Sequence, residues 1–229
     1  MFNVSKSTVY YYVKNNCLKM SKFDIGSLNE EEKGYIIGLF VGDGSFNRGN
    51  KEKRFFVRFA LDGKKDKDVA TKIADIMGKA WKKISLYPWK SNIIAKVCSK
   101  ELVNYIQCKV QYRPDGKNLV AINAWTSNFK YGFIAGLIDS DGHVHEHLGT
   151  EIKTVSCQIS SNVKDILNEL KISANTKSRE AHKNSFSKKP RFEIYVPSAE
   201  MKATQRQDSF RKDCSLLSHT DFFRERLIN

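Results

Sequence analysis

Two carboxylates that close matching apolar segments are the residues of this chain best placed to do chemistry. Asp43 and Asp141 lie 98 residues apart, and a glycine follows each of them. The segments that they close read IIGLFVGDG at 36–44 and IAGLIDSDG at 134–142. A single Asp-Gly pair is ordinary turn chemistry. Two pairs in register after the same apolar pattern indicate an internal repeat.

Both repeated segments are too apolar for surface helices with one polar face, so we expect two helices buried on nearly all sides. Small residues recur four apart on one face, Gly38 and Gly42 in the first copy and Gly136 and Ser140 in the second. Such spacing lets two helix backbones approach closely. We therefore expect the copies to pack on each other about a pseudo-two-fold axis, each ending at a left-handed glycine.

In that arrangement Asp43 and Asp141 meet at one end of the helix interface. Carboxylates at two helix C-termini repel each other and the helix dipoles, so a divalent cation is expected between them. Hard oxygen ligands favour magnesium or calcium. An EF-hand loop is excluded because Val41 replaces Asp139 in the first copy. The alternative, that both aspartates cap solvated turns, leaves the repeat without a purpose.

The two segments resemble the paired motif of the LAGLIDADG homing endonucleases, in the single-chain form that carries two copies. The resemblance implies an α+β fold of two pseudo-symmetric αββαββα halves, each with a saddle-shaped antiparallel sheet, packed through the two motif helices. It implies that Asp43 and Asp141 bind catalytic Mg²⁺, with Ca²⁺ or Mn²⁺ as substitutes. It adds the carbonyls of Gly42 and Ser140 as metal ligands and Lys96 as the basic residue near the attacking water.

The same plan divides the chain into four parts: an extension with a short helix at 1–26, a first half at 27–108, a linker at 109–126 and a second half at 127–229. Phe55, Val57 and Phe59 alternate with Arg58 as on a half-buried strand. We interpret 154–159 as the matching strand of the second half, which makes Gln158 the counterpart of Arg58. Lys96 is matched by Tyr195.

Lysine and arginine outnumber aspartate and glutamate by 39 to 25, and the net charge of +14 indicates a polyanionic partner. Outward Arg and Gln on twisted ribbons can read bases, and basic turns can reach phosphates. The DNA-contacting candidates are Arg48, Lys51, Lys53, Arg54, Arg58, Lys153, Gln158, Lys183, Lys188, Lys189, Arg191 and Tyr195.

The resemblance implies cleavage of one phosphodiester per strand across the minor groove of a long, non-palindromic DNA site, leaving short 3′ overhangs. A monomer with two motifs would suffice, and an intron would be the expected source of the reading frame. The alternative is a maturase that binds its host intron RNA on the same surface. A self-splicing intein is disfavoured because splicing needs a nucleophile at residue 1 and His-Asn at the end, whereas the sequence has Met1 and Ile228-Asn229.

No run approaches the 18 apolar residues of a membrane span, and no signal peptide is evident. Five cysteines without a CxxC pair favour a reduced intracellular protein, in the cytoplasm or nucleoid of a prokaryote or in an organelle. His143, His145 and His147 alternate, but they lack the HExxH spacing of a zinc site.

Overall fold

The computed structural model describes residues 23–48, 55–80, 84–113, 116–145, 149–180 and 190–197. The helices are α1 (Glu30–Asp43), α2 (Lys67–Ala80), α3 (Lys100–Gln107), α4 (Ser127–Asp141) and α5 (Cys157–Glu169). The first-half strands are β1 (Gly44–Arg48), β2 (Phe55–Asp62), β3 (Ile84–Trp89) and β4 (Asn92–Val97). The remaining strands are β5 (Val110–Arg113), β6 (Gly116–Leu119), β7 (Gly142–His145), β8 (Gly149–Thr154), β9 (Asn175–Arg179) and β10 (Arg191–Pro197).

Two antiparallel sheets of identical order confirm the α+β fold expected from the sequence. The first has the order β1-β2-β4-β3 and the second β7-β8-β10-β9, and every neighbouring pair is antiparallel. The first half runs αββαββα from α1 to α3. The second half follows the same order as far as β10, and its expected last helix lies outside the described residues.

The two motif helices, α1 and α4, pack directly on each other at the centre of the molecule. A Cβ atom on Gly38 would overlap the carbonyl oxygen of Phe133, and one on Gly136 would overlap that of Tyr35. Phe133 and Tyr35 are themselves 98 positions apart, so the contacts repeat about a two-fold axis. Backbones this close leave no room for any side chain larger than hydrogen at these glycines.

Two further glycines extend this seam and were not singled out from the sequence. Gly34 lies against the backbone of Phe129, and Gly132 lies against that of Glu31. The seam therefore runs over three helical turns in each motif helix. Side chains on the other faces of α1 and α4 are also buried, which explains why neither helix has a polar face.

The sheets cover the motif helices with one face and leave the other face open. In β2, Val57, Phe59 and Leu61 are fully buried while Arg58 is exposed, as the alternation predicted. Each such buried side chain contributes about 1.5–3 kcal/mol relative to exposure. Ser99 accepts a hydrogen bond from the Leu102 amide at 3.0 Å and caps the start of α3.

The interpretation of 154–159 as a strand is wrong. β8 ends at Thr154, and Ser156 caps α5 by accepting a hydrogen bond from the Ile159 amide at 3.2 Å. The apolar residues at 155–159 fit the first turn of a helix as well as a strand, and the cap decides between them. Gln158 thus lies on a helix, where its amide donates to Asn162 Oδ1 at 3.0 Å.

Strand register gives the correct counterpart of Arg58. Arg58 pairs with Lys96 on the neighbouring strand, and the matching pair in the second half is Glu151 with Tyr195. The two outward sheet faces therefore differ at this position: the first half has a cation where the second has a carboxylate. The predicted match of Lys96 with Tyr195 agrees with this register.

The glycines after the motif helices do not adopt the left-handed conformation that we expected. Gly44 has φ −84° and Gly142 has φ −91°, both in the extended region. Steric contact requires glycine instead, because a Cβ on Gly44 would run into Phe40 and one on Gly142 into Ile138. The chain turns directly from each helix into the first strand of its sheet.

The linker between the halves is folded. It contains the hairpin β5–β6 and a short 3-10 turn at Ile122–Ala124, after which Thr126 caps α4. No helix in the described part of the chain combines the length and apolarity needed to span a membrane.

Candidate functional site

The ends of the motif helices bring Asp43 and Asp141 together. A Cβ on Gly42 would overlap the Ser140 hydroxyl and lie 3.1 Å from the carboxyl carbon of Asp141. Burial raises the pKa of Asp43 to about 7, and the negative charges of Asp141 and then Asp66 add to the rise. Asp141 keeps surface open to solvent. The protein atoms packed around its carboxyl nevertheless raise its pKa.

A lysine that the sequence did not single out lies beside both carboxylates. The Lys117 ammonium donates hydrogen bonds to the carbonyl oxygens of Phe40 at 2.7 Å, Val41 at 2.8 Å, Gly42 at 3.3 Å and Gly44 at 2.8 Å. Its positive charge opposes the rise in pKa of both aspartates. Burial lowers the pKa of Lys117 itself to about 8, although the two carboxylates act in the opposite direction.

The linker hairpin positions this lysine. Lys117 pairs with Tyr112 across the hairpin, and the Tyr112 ring packs edge-on against Phe40 and Phe46, with centroid distances of 6.4 and 5.2 Å. Gly116, with φ 136°, supplies a backbone conformation that other residues rarely adopt. The residue sequence Pro-Asp-Gly at 114–116 is the signal that could have indicated a hairpin here.

The donor set at this site suits a hard divalent cation. Two carboxylates converge, and the Gly42 carbonyl accepts from Lys117, the ammonium that acts electrostatically on both of them. Among the described residues, no group of three or more His, Cys, Asp or Glu could hold a metal ion. The candidate set is the two carboxylates with a backbone carbonyl oxygen, which are ligands of the magnesium and calcium type. The Ser140 hydroxyl is turned back onto its own helix, donating to the Gly136 and Leu137 carbonyls.

A cavity of about 350 Å³ opens beside Asp141. It lies between the end of α1, the linker hairpin and the second sheet. Its lining carries three cations, Lys117, Lys153 and Arg191, next to the Asp141 carboxyl. Three positive side chains around one carboxylate are suited to hold an anionic group close to that carboxylate.

On the first sheet, the outward residues Arg58 and Lys96 lie side by side. The Arg58 Nε donates to the Ser45 hydroxyl at 2.8 Å, which fixes the direction of the guanidinium. The Lys96 ammonium lies 4.3 Å from the centre of the Phe56 ring. The cation that acts electrostatically on Asp43 and Asp141 is Lys117. The role of Lys96 near the attacking water stays a prediction.

On the second sheet, Glu193 is buried beneath a basic surface. Its carboxylate accepts from Arg179 Nε at 2.6 Å and lies 3.7 Å from Arg191 Nε. Lys153 is its neighbour across the strand pair and forms an ion pair with Glu151 at 2.7 Å. The outer face of this sheet is consequently a network of paired charges.

Several predicted contact residues are not described by the structure. Lys51, Lys53, Arg54, Lys183, Lys188 and Lys189 lie outside the described residues, and only the backbone of Arg48 is described. Arg58, Lys153, Arg191 and the half-buried Tyr195 lie on outward sheet faces. Gln158, on α5, does not belong to either sheet.

Comparison with known proteins supports the fold and matches one family model over part of the chain. A family model described as homing endonuclease matches residues 123–221. The structure of I-DmoI in complex with DNA and Mn superposes with a TM-score of 0.57 at 15% identity, covering 80% of this chain and 99% of that one. I-DmoI in complex with DNA and Ca gives 0.55 at 15% identity, covering 83% and 92%.

The N-terminal LAGLIDADG domain of DUF199/WhiA gives a TM-score of 0.50 at 14% identity, covering 81% of this chain and 84% of that chain. At such identities these likenesses show the fold. No curated protein matches the chain.

Proposed function

We propose that this chain is a LAGLIDADG homing endonuclease and that it cleaves double-stranded DNA at a specific site by hydrolysing one phosphodiester bond in each strand; the partial family match and the fold support this. The observation that carries the proposal is the meeting of Asp43 and Asp141 at the paired helix ends, where burial and mutual repulsion favour a bound cation. We propose Mg²⁺ as that cation. Structures of I-DmoI were obtained with Mn, Mg and Ca.

The position of each residue suggests its role in the proposed reaction. Asp43, Asp141 and the Gly42 carbonyl would hold the metal, and the carbonyl of Ser140 is proposed as a further ligand. A divalent cation bound there would neutralise the scissile phosphate and increase the acidity of water. Lys153 and Arg191, in the cavity beside Asp141, would hold a DNA phosphate against this site.

The two sheets would follow the DNA on either side of the cleavage site. The first sheet presents Arg58 and Lys96, whereas the second presents Glu151 and Tyr195 at the matching positions. Unequal faces read unequal half-sites, so we propose a non-palindromic target. Because one chain holds both motifs, a monomer provides a complete pair of catalytic carboxylates.

Asparagine substitutions test this proposal. Asp43→Asn and Asp141→Asn should each abolish double-strand cleavage in Mg²⁺, while DNA affinity measured in Ca²⁺ should stay within about tenfold, because affinity comes from phosphate and base contacts. Asp165→Asn, on the exposed face of α5, is the matched control and should cleave normally. Undiminished cleavage by Asp141→Asn would refute the assignment of the metal site.

The RNA-binding alternative is tested with the same protein. A maturase would accelerate splicing of its unspliced host intron, and the basic sheet faces would suit RNA as well as DNA. Splicing assistance combined with no cleavage of DNA that lacks the intron would favour that alternative. We infer an intracellular location, since both polyanionic partners are found there.

A further inference from the structure

The linker hairpin is fixed to the end of the first motif helix by two residues that face each other across it. Tyr112 packs against Phe40, and the Lys117 ammonium lies 5.0 Å from the centre of the same ring. The four carbonyls that accept from Lys117 all belong to the last turn of α1 and its first following residue. A segment that joins the halves thus reaches into the site itself.

We propose that Lys117 is a built-in cation of the first motif, which holds the end of α1 in the metal-free protein and weakens divalent-metal binding at Asp43 and Asp141. The inference rests on the proposed function, since it concerns the same carboxylates. Lys117 is in this sense a positioning residue, and it contacts one of the proposed metal ligands, the Gly42 carbonyl.

The geometry supports this role in two ways. First, the last carbonyls of a helix carry its negative pole and lack partners within the helix, so an ammonium there is favourable. Second, the Gly42 carbonyl accepts from Lys117 at 3.3 Å and is also the oxygen proposed above as a metal ligand. A positive charge at this distance repels a divalent ion that uses the same oxygen.

The hydrogen bonds of Lys117 are one-sided, because all four go to carbonyls of the first motif. Lys117 also lines the cavity beside Asp141, where Lys153 and Arg191 are supplied by the second half. The two scissile phosphates would therefore meet unequal surroundings even though the helices are related by a two-fold axis. This inequality originates in the linker, which lies outside the repeat.

Calcium binding and thermal unfolding of the full chain, both at pH 7.5, test the proposal. Lys117→Met should lower Tm in chelator, and saturating Ca²⁺ should recover most of that loss. Its Ca²⁺ affinity, measured by calorimetry, should rise about fivefold because the repulsion is gone. Lys117→Arg keeps the charge and should bind Ca²⁺ as the unsubstituted protein does.

Lys130→Met is the matched control. Lys130 is a buried lysine of α4 that pairs with Glu169. Its loss should lower Tm equally with and without Ca²⁺. If Lys117→Met behaves like this control, with unchanged Ca²⁺ affinity, the inference is overturned and the proposed function stands. If neither the unsubstituted protein nor any variant binds Ca²⁺, the metal site of the proposed function fails and the inference fails with it.

Discussion

The Tyr35 hydroxyl donates a 2.7 Å hydrogen bond to Oδ2 of Asp139 across the interface of the two motif helices. Both residues are buried, with 2% and 9% of their surface exposed. Their counterparts 98 positions away are Phe133 and Val41, so the hydrogen bond is not repeated at the position related by the two-fold axis. This hydrogen bond is a polar link within the apolar seam and joins the halves directly.

Removal of this hydroxyl should destabilise the protein. Tyr35→Phe leaves a carboxylate oxygen of Asp139 without its donor inside the interface, which should lower the free energy of unfolding by about 1–3 kcal/mol. Urea unfolding followed by circular dichroism measures the change. Tyr87→Phe is the control, since that side chain is 38% exposed on the first sheet and should have almost no effect.

The close approach of the motif helices predicts that glycine-to-alanine substitutions at two positions change stability in opposite directions. Gly38→Ala must push α1 away from the Phe133 carbonyl and should lower the free energy of unfolding by about 1–3 kcal/mol or more. Gly78→Ala, within α2, meets no atom within 4 Å. It should stabilise the protein by about 0.5–1 kcal/mol through helix propensity. Equal effects at both sites would contradict the helix packing described here.

The raised pKa of Asp43 predicts a pH dependence for the metal-free protein. A carboxyl whose pKa is about 7 when folded, against an ordinary value of 3.8, binds its proton more tightly in the folded state. Stability should therefore fall as pH rises from about 4 to about 7, by on the order of 2 kcal/mol after allowance for solvent screening of this half-buried group.

Thermal unfolding in chelator over this range measures the effect. Asp43→Asn should flatten the decline without abolishing it, because Asp141 also has a raised pKa and remains. Saturating Ca²⁺ should reverse the trend in the unsubstituted protein, since metal binds the ionised carboxylates. A decline as steep in Asp43→Asn as in the unsubstituted protein would show that another group causes it.

Glu193 is buried beneath Arg179 and Arg191, and removal of its charge should raise the affinity for DNA and lower the specificity. Glu193→Gln removes the charge that holds both guanidiniums, so they become free to contact phosphates. We expect tighter binding to any DNA and a salt dependence steeper by about one unit of slope. Fluorescence anisotropy at several salt concentrations, with target and random duplexes, checks this. A lower affinity for both duplexes would mean that Glu193 serves only to support the sheet.

The sequence by itself determined the architecture, because its information was periodic. Small residues at helical spacing in two copies required two close-packed helices, and a strict alternation in β2 placed Arg58 outward and Val57 inward. The repeat also determined that Asp43 and Asp141 must meet. Patterns of this kind repeat with the period of the helix or strand, so they can be recognised in one sequence without the structure.

The tertiary structure decided what local patterns leave open. The apolar residues at 155–159 match both the strand period and the helix period. The cap at Ser156 shows that a helix begins here, so Gln158 lies on a helix and not in the sheet. The two-fold contacts at Gly34 and Gly132, and the steric need for Gly44, depend on atoms distant in sequence. Lys117 is the clearest case, because its ammonium meets carbonyls 73 to 77 residues away. Only the folding of the linker hairpin onto α1 could place this charge beside the two aspartates.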